Sequence, residues 1–222
     1  MFKYIAALLL MTSPVQAKDP EVNYYTSEAM GCMILKECNQ DVQQIKNFAD
    51  LYAHYNITEI DKYKKEVAGI LAALNELNIE VYLGPQRYFR VGERGLYHTE
   101  HNRMFLNAGY LSNPEALIST LRHEVWHTAQ DCMAGTLDNS YVAVILDENT
   151  IPPMYKALTQ SKYGLLMSAA IPWEQEAVYA ATVENMSLHA IESCAAGPMW
   201  EVYSPTPLTK KYLVTEGFMA PL

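Results

Sequence analysis

The chain has 222 residues, 50% of them hydrophobic, and a formal net charge of −9 at pH 7. Neither a basic stripe nor a glycine-rich phosphate loop accompanies that acidic balance, which argues against nucleic-acid and nucleotide partners and points mainly to solubility. About 205 residues remain once an N-terminal leader is set aside, enough for one sizeable core and too few to argue for two.

Residues 1–17 read as a secretory signal peptide. Lys3 makes a positive start, residues 4–11 form an apolar stretch too short to span a bilayer, and Val15, Gln16 and Ala17 suit cleavage after Ala17. Residues 18–222 are then expected to be a single exported domain, periplasmic or secreted, with no membrane span. The longest later apolar run, residues 141–146, is only strand-sized. Residues 18–27 look like a polar lead-in.

Asn39 can cap a helix over about residues 40–54, with Val42, Ile45, Phe48 and Ala49 on its buried side. A second helix is predicted from about 59 to 77, where Ile60, Tyr63, Val67, Ile70, Leu71, Leu74 and Leu77 recur at intervals of three and four. Short strands follow at 79–83, 88–91, 96–97 and 103–107, with turns at Gly84-Pro85 and at residues 92–95, and these suggest a small antiparallel sheet. His98 and His101 lie in the connection before the last strand. Their spacing of three would allow metal binding if helical, although Glu100, Asn102 and the nearby turn favour a solvated loop.

Residues 112–134 then carry the pattern with the most chemistry in it. Ser112 or Asn113 is a candidate N-cap, Pro114 suits the first helical position, and Glu115 sits near the positive end of the dipole. Leu117, Ile118, Leu121, Val125 and Ala129 fall on one arc, and His123 and His127 fall on the opposite side. Within this helix His123-Glu124-Val125-Trp126-His127 forms an H-E-x-x-H pentad. Two histidines four apart stand about 6 Å from Cβ to Cβ on one face, so both imidazoles reach a single ion. Glu124 is placed to take a proton from a water at that ion rather than to ligate it. Gln130 lies on the histidine side and reads as a plain surface amide or a contact behind the ligands, and Trp126 reads as packing.

The segment around the pentad, Thr120 to Ala129, resembles the active-site helix of the zincin metallopeptidases. That resemblance implies a Zn2+ cofactor, a peptide or protein substrate, and Glu124 as general base. It also implies that the strand just upstream, residues 103–107, forms the cleft edge where an extended substrate can pair.

Three carboxylates compete as third ligand. Pro172-Trp173-Glu174-Gln175-Glu176-Ala177 opens a helix expected to run to about residue 193. It resembles the glutamate helix of the gluzincins, most nearly the E-x-x-A pattern of the CAAX prenyl proteases and related exported peptidases, with Val178 where those often carry Asp. The alignment places the ligand at Glu174. Glu176 lies about 200° further round the helix, so the two cannot both face one ion. Asp138, in Gly135-Thr136-Leu137-Asp138-Asn139-Ser140-Tyr141, resembles the G-T-x-D-x-x-Y segment of the deuterolysin-like aspzincins. Against it, a helix continuing through Cys132 to Gly135 carries the chain about 10 Å past His127 before any return.

Cys32, Cys38, Cys132 and Cys194 make an even set, which in an exported chain favours two disulfides over free thiols or zinc ligands. A Cys132–Cys194 bridge requires a bend in the later helix, so the pairing stays open. Residues 151–160 suggest a short helix whose Tyr155, with Tyr163 just beyond, lines the cleft or packs. The tail from Gly197 shows no periodicity and is expected to wrap the core as extended chain.

The expected molecule is therefore α+β, mainly helical and zincin-like, with a small antiparallel sheet and an active-site helix. Its expected activity is zinc-dependent peptide hydrolysis through His123, His127, Glu174 and Glu124. The competing expectation is an exported binding protein in which the metal is structural or the pentad vestigial.

Overall fold

The computed structural model describes residues 32–34, 36, 41–110, 113–164 and 168–220. The expected signal peptide, the polar lead-in, Cys38 and Ser112 lie outside them. The fold is α+β and mainly helical, with one mixed four-stranded sheet in the order β1-β2-β4-β3. Its strands are β1 (Gln43–Gln44), β2 (Glu80–Gly84), β3 (Gly95–His98) and β4 (Arg103–Asn107). Six helices are referred to below: α1 (Lys64–Glu76), α2 (Pro114–Met133), α3 (Pro153–Tyr163), α4 (Ile171–Ala180), α5 (Met186–Ala196) and α6 (Pro207–Thr215).

The sheet is not wholly antiparallel, because β2 and β4 run parallel, Tyr82 opposite Phe105. Residues 85–94 carry the chain past the position of β4 to the outer edge, and the β3–β4 hairpin then places β4 in the middle. The expected strand at 88–91 is part of this passage. Gln86–Tyr88 is a single 3-10 turn, and Tyr88 and Phe89 are buried against Met33, Tyr82 and Phe105 on one face of the sheet. The other face takes Val81, Leu83, Met104 and Leu106 into the main core. Alternate residues thus go to opposite faces, and both central strands are covered on both sides.

The expected helix at 40–54 is also replaced. Gln43 and Gln44 pair with Leu83 and Tyr82, and the Ile45 amide donates to the Val81 carbonyl at 2.8 Å. Only then does a 3-10 helix begin, at Phe48–Ala53, closed by a capping box between Asn47 and Asp50. The spacing of Val42, Ile45 and Phe48 fits a helix, but pairing with the exposed edge of β2 satisfies the same backbone groups.

Helix α2 starts as its signals indicate: Asn113 accepts from the Ala116 amide at 2.6 Å, Pro114 is first, and Gly135 beyond the end adopts φ +101°. It is, however, buried nearly all round rather than on one arc. Three of the buried polar side chains of its middle turns are bound to other elements. Arg122 donates through Nε and Nη2 to both oxygens of Glu66 on α1, at 2.8 and 2.6 Å. Trp126 is fully buried and donates from Nε1 to Glu176 on α4 at 3.2 Å. Tyr97 on β3 bonds Asp131 through its hydroxyl at 2.8 Å.

A single helix from 172 to 193 does not form. It breaks between α4 and α5, where Asn185 takes a left-handed conformation at φ 61°. The Asn185 amide donates to Glu66 Oε1 at 2.9 Å, the same carboxylate that holds Arg122. Thr182, Val183 and Asn185 are poor helix formers in succession, which makes the break inexpensive. It lets α5 fold back along α2, so that Cys194 bonds Cys132 with a Cα separation of 6.0 Å. Cys32 is disulfide-bonded as well, and no described cysteine is free. The tail departs from expectation too: Thr206 caps α6 by accepting from the Thr209 amide, Pro207 is its first residue, and Thr209 Oγ1 donates to the Val144 carbonyl at 3.2 Å. No helix among the described residues is long and apolar enough to cross a membrane.

The disulfide closes a loop with a sequence separation of 62. Loop-closure entropy then predicts that a Cys132→Ala/Cys194→Ala chain loses about 4 kcal/mol in urea unfolding. An unchanged midpoint would show that the bridge adds nothing to the α2–α5 contact.

Asp131 gives a pH signature. Burial, with the Asp138 charge adding to it, raises its pKa to about 7 despite the Tyr97 hydrogen bond, and its Oδ1 has no partner. The folded state therefore holds a proton that the unfolded chain releases near pH 4, and this contribution to stability is lost as pH rises towards 7. Asp131→Asn is expected to stabilise the chain by about 2–4 kcal/mol at pH 8 and by little at pH 4. Equal gaps at both pH values in chemical denaturation would contradict this.

Candidate metal centre

Helix α2 presents His123 and His127 one turn apart, and α4 crosses it so that Glu174, in its first turn, meets both. The two imidazole Nε2 atoms are 3.2 Å apart. Glu174 Oε2 is 3.4 Å from His123 Nε2, and Oε1 is 3.7 Å from His127 Nε2. Donors about 2.0–2.1 Å from one tetrahedral ion stand roughly 3.3–3.4 Å from each other, so the three separations match a shared ion. Glu174 Oε2 is buried and has no hydrogen-bond partner, which is costly in the protein alone. The group can hold a metal ion. Exposure of 17, 17 and 15% leaves the three side chains open to small molecules on one side.

Behind the histidines, Gln130 has a larger part than a surface amide. It is fully buried, and its Nε2 donates to the Trp173 carbonyl at 3.1 Å and to Glu176 Oε2 at 2.7 Å. Both partners are acceptors, so the amide has one orientation, and its Oε1 faces His127 Nδ1 at 2.8 Å. His127 must then carry its proton on Nδ1, which leaves the Nε2 lone pair directed at Glu174 and His123. The signal was in the spacing of three from His127, but the partner that orients the amide lies 46 positions on.

Glu176 takes no part in the donor cluster. It is fully buried and accepts from Gln130 Nε2, Trp126 Nε1 and the Ile145 and Leu146 amides. Asp138 lies exposed in the loop after α2, its amide donating to Thr136 Oγ1 at 3.1 Å. Of the three carboxylates weighed for this place, Glu174 alone joins the histidines among the described groups.

Glu124 stands beside the cluster against β3. A Cβ at Gly95 would lie 2.8 Å from Glu124 Oε1 and 2.8 Å from Thr120 Cγ2, so only glycine permits that approach. The backbone amide of Tyr97 lies near Glu124 and favours its ionised form. The strand at the site is therefore β3, at the sheet edge, and not 103–107, which is internal as β4. Tyr163, at the end of α3, brings its phenol near Glu174 and helps to lower its pKa. Tyr155 instead packs against Tyr179, their ring centroids 5.1 Å apart.

The electrostatics follow from burial and crowding. Burial pushes Glu124 up to about 7, helped by the charges of Glu174 and Glu93 and opposed by His123. Burial also works to raise Glu174, but the adjacent His123, the charges of both histidines and the nearby Tyr163 phenol bring it down to about 2. His127 is lowered to about 4 by burial and by the neighbouring His123, and so is neutral at pH 7. One ionised carboxylate, a neutral imidazole with a free Nε2 and a further carboxylate poised near neutrality make a cation-binding, proton-transferring set.

A second group, His98, Glu100 and His101, is also gathered closely enough to hold an ion. It shares no residue with the first. Comparison of the chain with protein-family models, with curated proteins and with solved structures finds no match.

Proposed function

We propose that the chain is an exported, zinc-dependent peptidase of gluzincin type, with His123, His127 and Glu174 as metal ligands and Glu124 as general base. The observation that carries this reading is the convergence of two Nε2 atoms and an unpartnered buried carboxylate oxygen, with the tautomer of His127 set by Gln130. Three protein donors, each left partly exposed, suit a catalytic rather than a structural zinc site. Bound Zn2+ supplies Lewis acidity, lowering the pKa of water to about 7 and polarising a carbonyl.

The chain's own residues supply the rest. Glu124, raised to about 7, accepts the proton of the attacking water and returns it to the leaving amine. The outer edge of β3 offers main-chain groups to an extended peptide laid beside Glu124. The Tyr163 phenol, kept protonated above neutrality by its burial and the Glu174 charge, is the donor that this reading assigns to the oxyanion. Export is supported by the Cys132–Cys194 disulfide, which persists in oxidising compartments.

The purified chain is expected to contain one zinc, lost in His123→Ala, His127→Ala and Glu174→Ala and kept in Asp138→Ala. Glu124→Gln is expected to keep the zinc and lower hydrolysis of an unfolded protein substrate by about 10²–10⁴-fold. Zinc retained in Glu174→Ala but lost in Asp138→Ala, measured by elemental analysis, would move the reading to the aspzincin pattern.

Gln130→Leu tests the amide behind the ligands, which both orients His127 and supplies one of the donors to Glu176. Zinc affinity is expected to fall by about 10–100-fold, as for other groups that orient a ligating histidine. Unchanged affinity in a chelator competition would remove Gln130 from the site.

A further inference from the structure

We infer that the turn between β3 and β4 is a second, surface binding site for a divalent late transition-metal ion, held by His98, His101 and Glu100. His98 is the last residue of β3, and Thr99–His101 is a 3-10 turn. A 3-10 turn has three residues per turn, so side chains three apart eclipse, and the two imidazoles come together. Their Nδ1 atoms are 3.3 Å apart, and the rings stand edge to face at 81°. The spacing is nearly that of the two Nε2 atoms of the first site, 3.2 Å. A donor oxygen of Glu100 lies within 4.8 Å of both nitrogens.

The turn is built before any ion arrives. Asn102 closes it in a left-handed conformation at φ 51°. Its Oδ1 accepts from the Tyr97 hydroxyl at 3.0 Å, its Nδ2 donates to the Leu137 carbonyl at 3.0 Å, and its carbonyl accepts from the Glu80 amide at 3.0 Å. Bonds to β2, to β3 and to the loop after α2 therefore hold the turn that gathers the donors. The neighbouring Arg103 is paired with Glu80 at 2.9 Å, a carboxylate it shares with Lys36. Two imidazoles and one carboxylate suit Zn2+, Ni2+ or Cu2+ rather than Mg2+ or Ca2+. Glu100 and His101 are exposed, so water completes the coordination and exchange is rapid compared with the first site.

The test is equilibrium dialysis of the chelator-stripped full chain against Zn2+, followed by metal analysis. His98→Ala/His101→Ala is expected to bind one equivalent fewer than the unaltered chain, and Glu100→Gln to bind the same number more weakly. The same difference is expected in a His123→Ala/His127→Ala background, so the result does not depend on the first site. Equal stoichiometry with and without His98 and His101 would overturn the proposal. Should the variants fold poorly, NMR of the unaltered chain decides: Cu2+ added beyond the first equivalent, once the first site is filled, is expected to broaden the His98 and His101 ring signals, and signals that stay sharp through the second equivalent would overturn the site.

Discussion

The relation between α2 and α4 depends on one buried carboxylate. Glu176 is fully buried, and removing a charge from water costs several kcal/mol unless hydrogen bonds replace its hydration. Four N–H groups do so, from the indole of Trp126, the amide of Gln130 and the backbone at Ile145 and Leu146. Those donors come from α2 and from the irregular segment that follows it, so one side chain of α4 ties all three together. Glu174, two residues earlier, is thereby delivered to the histidines. The carboxylate that does not face the candidate metal determines where the one that does will sit.

A second buried carboxylate has a comparable role on the opposite flank. Glu66 takes both nitrogens of the Arg122 fork and the amide of Asn185, and thus joins α1, α2 and the helix break. Arg122 directly precedes His123, and Ser187 donates to its carbonyl at 2.7 Å. The helix bearing the candidate ligands is held from both sides by groups whose loss would leave a buried charge unpaired, which makes sliding of α2 expensive.

What could be read in the sequence was what depends on neighbours along the chain. Asn113 and Pro114 mark the start of α2 through their own side-chain chemistry, Gly135 marks its end, and residues 103–107 form a strand as their pattern suggests. The grouping of His123 with His127 follows from helical pitch alone. What could not be read depends on partners far away in the chain. Gln130 looks like a surface amide until Glu176 and Trp173 are brought to it, and the helix break at Asn185 is completed by Glu66, 119 positions earlier. The parallel pairing of β2 with β4 is decided by where residues 85–94 travel, a matter of burying Tyr88 and Phe89 rather than of strand propensity. The cap at Thr206 and Pro207 was legible and was masked by the irregular composition around it.

Gly95 is the point where the edge strand comes closest to Glu124, near enough that even a methyl group would collide. On that side Glu124 is faced by bare main chain. A peptide backbone has the same dipoles whatever the sequence, so substitution cannot recolour this surface. The strand is held to glycine here by contact alone, and any chemical variety around the carboxylate has to come from other elements.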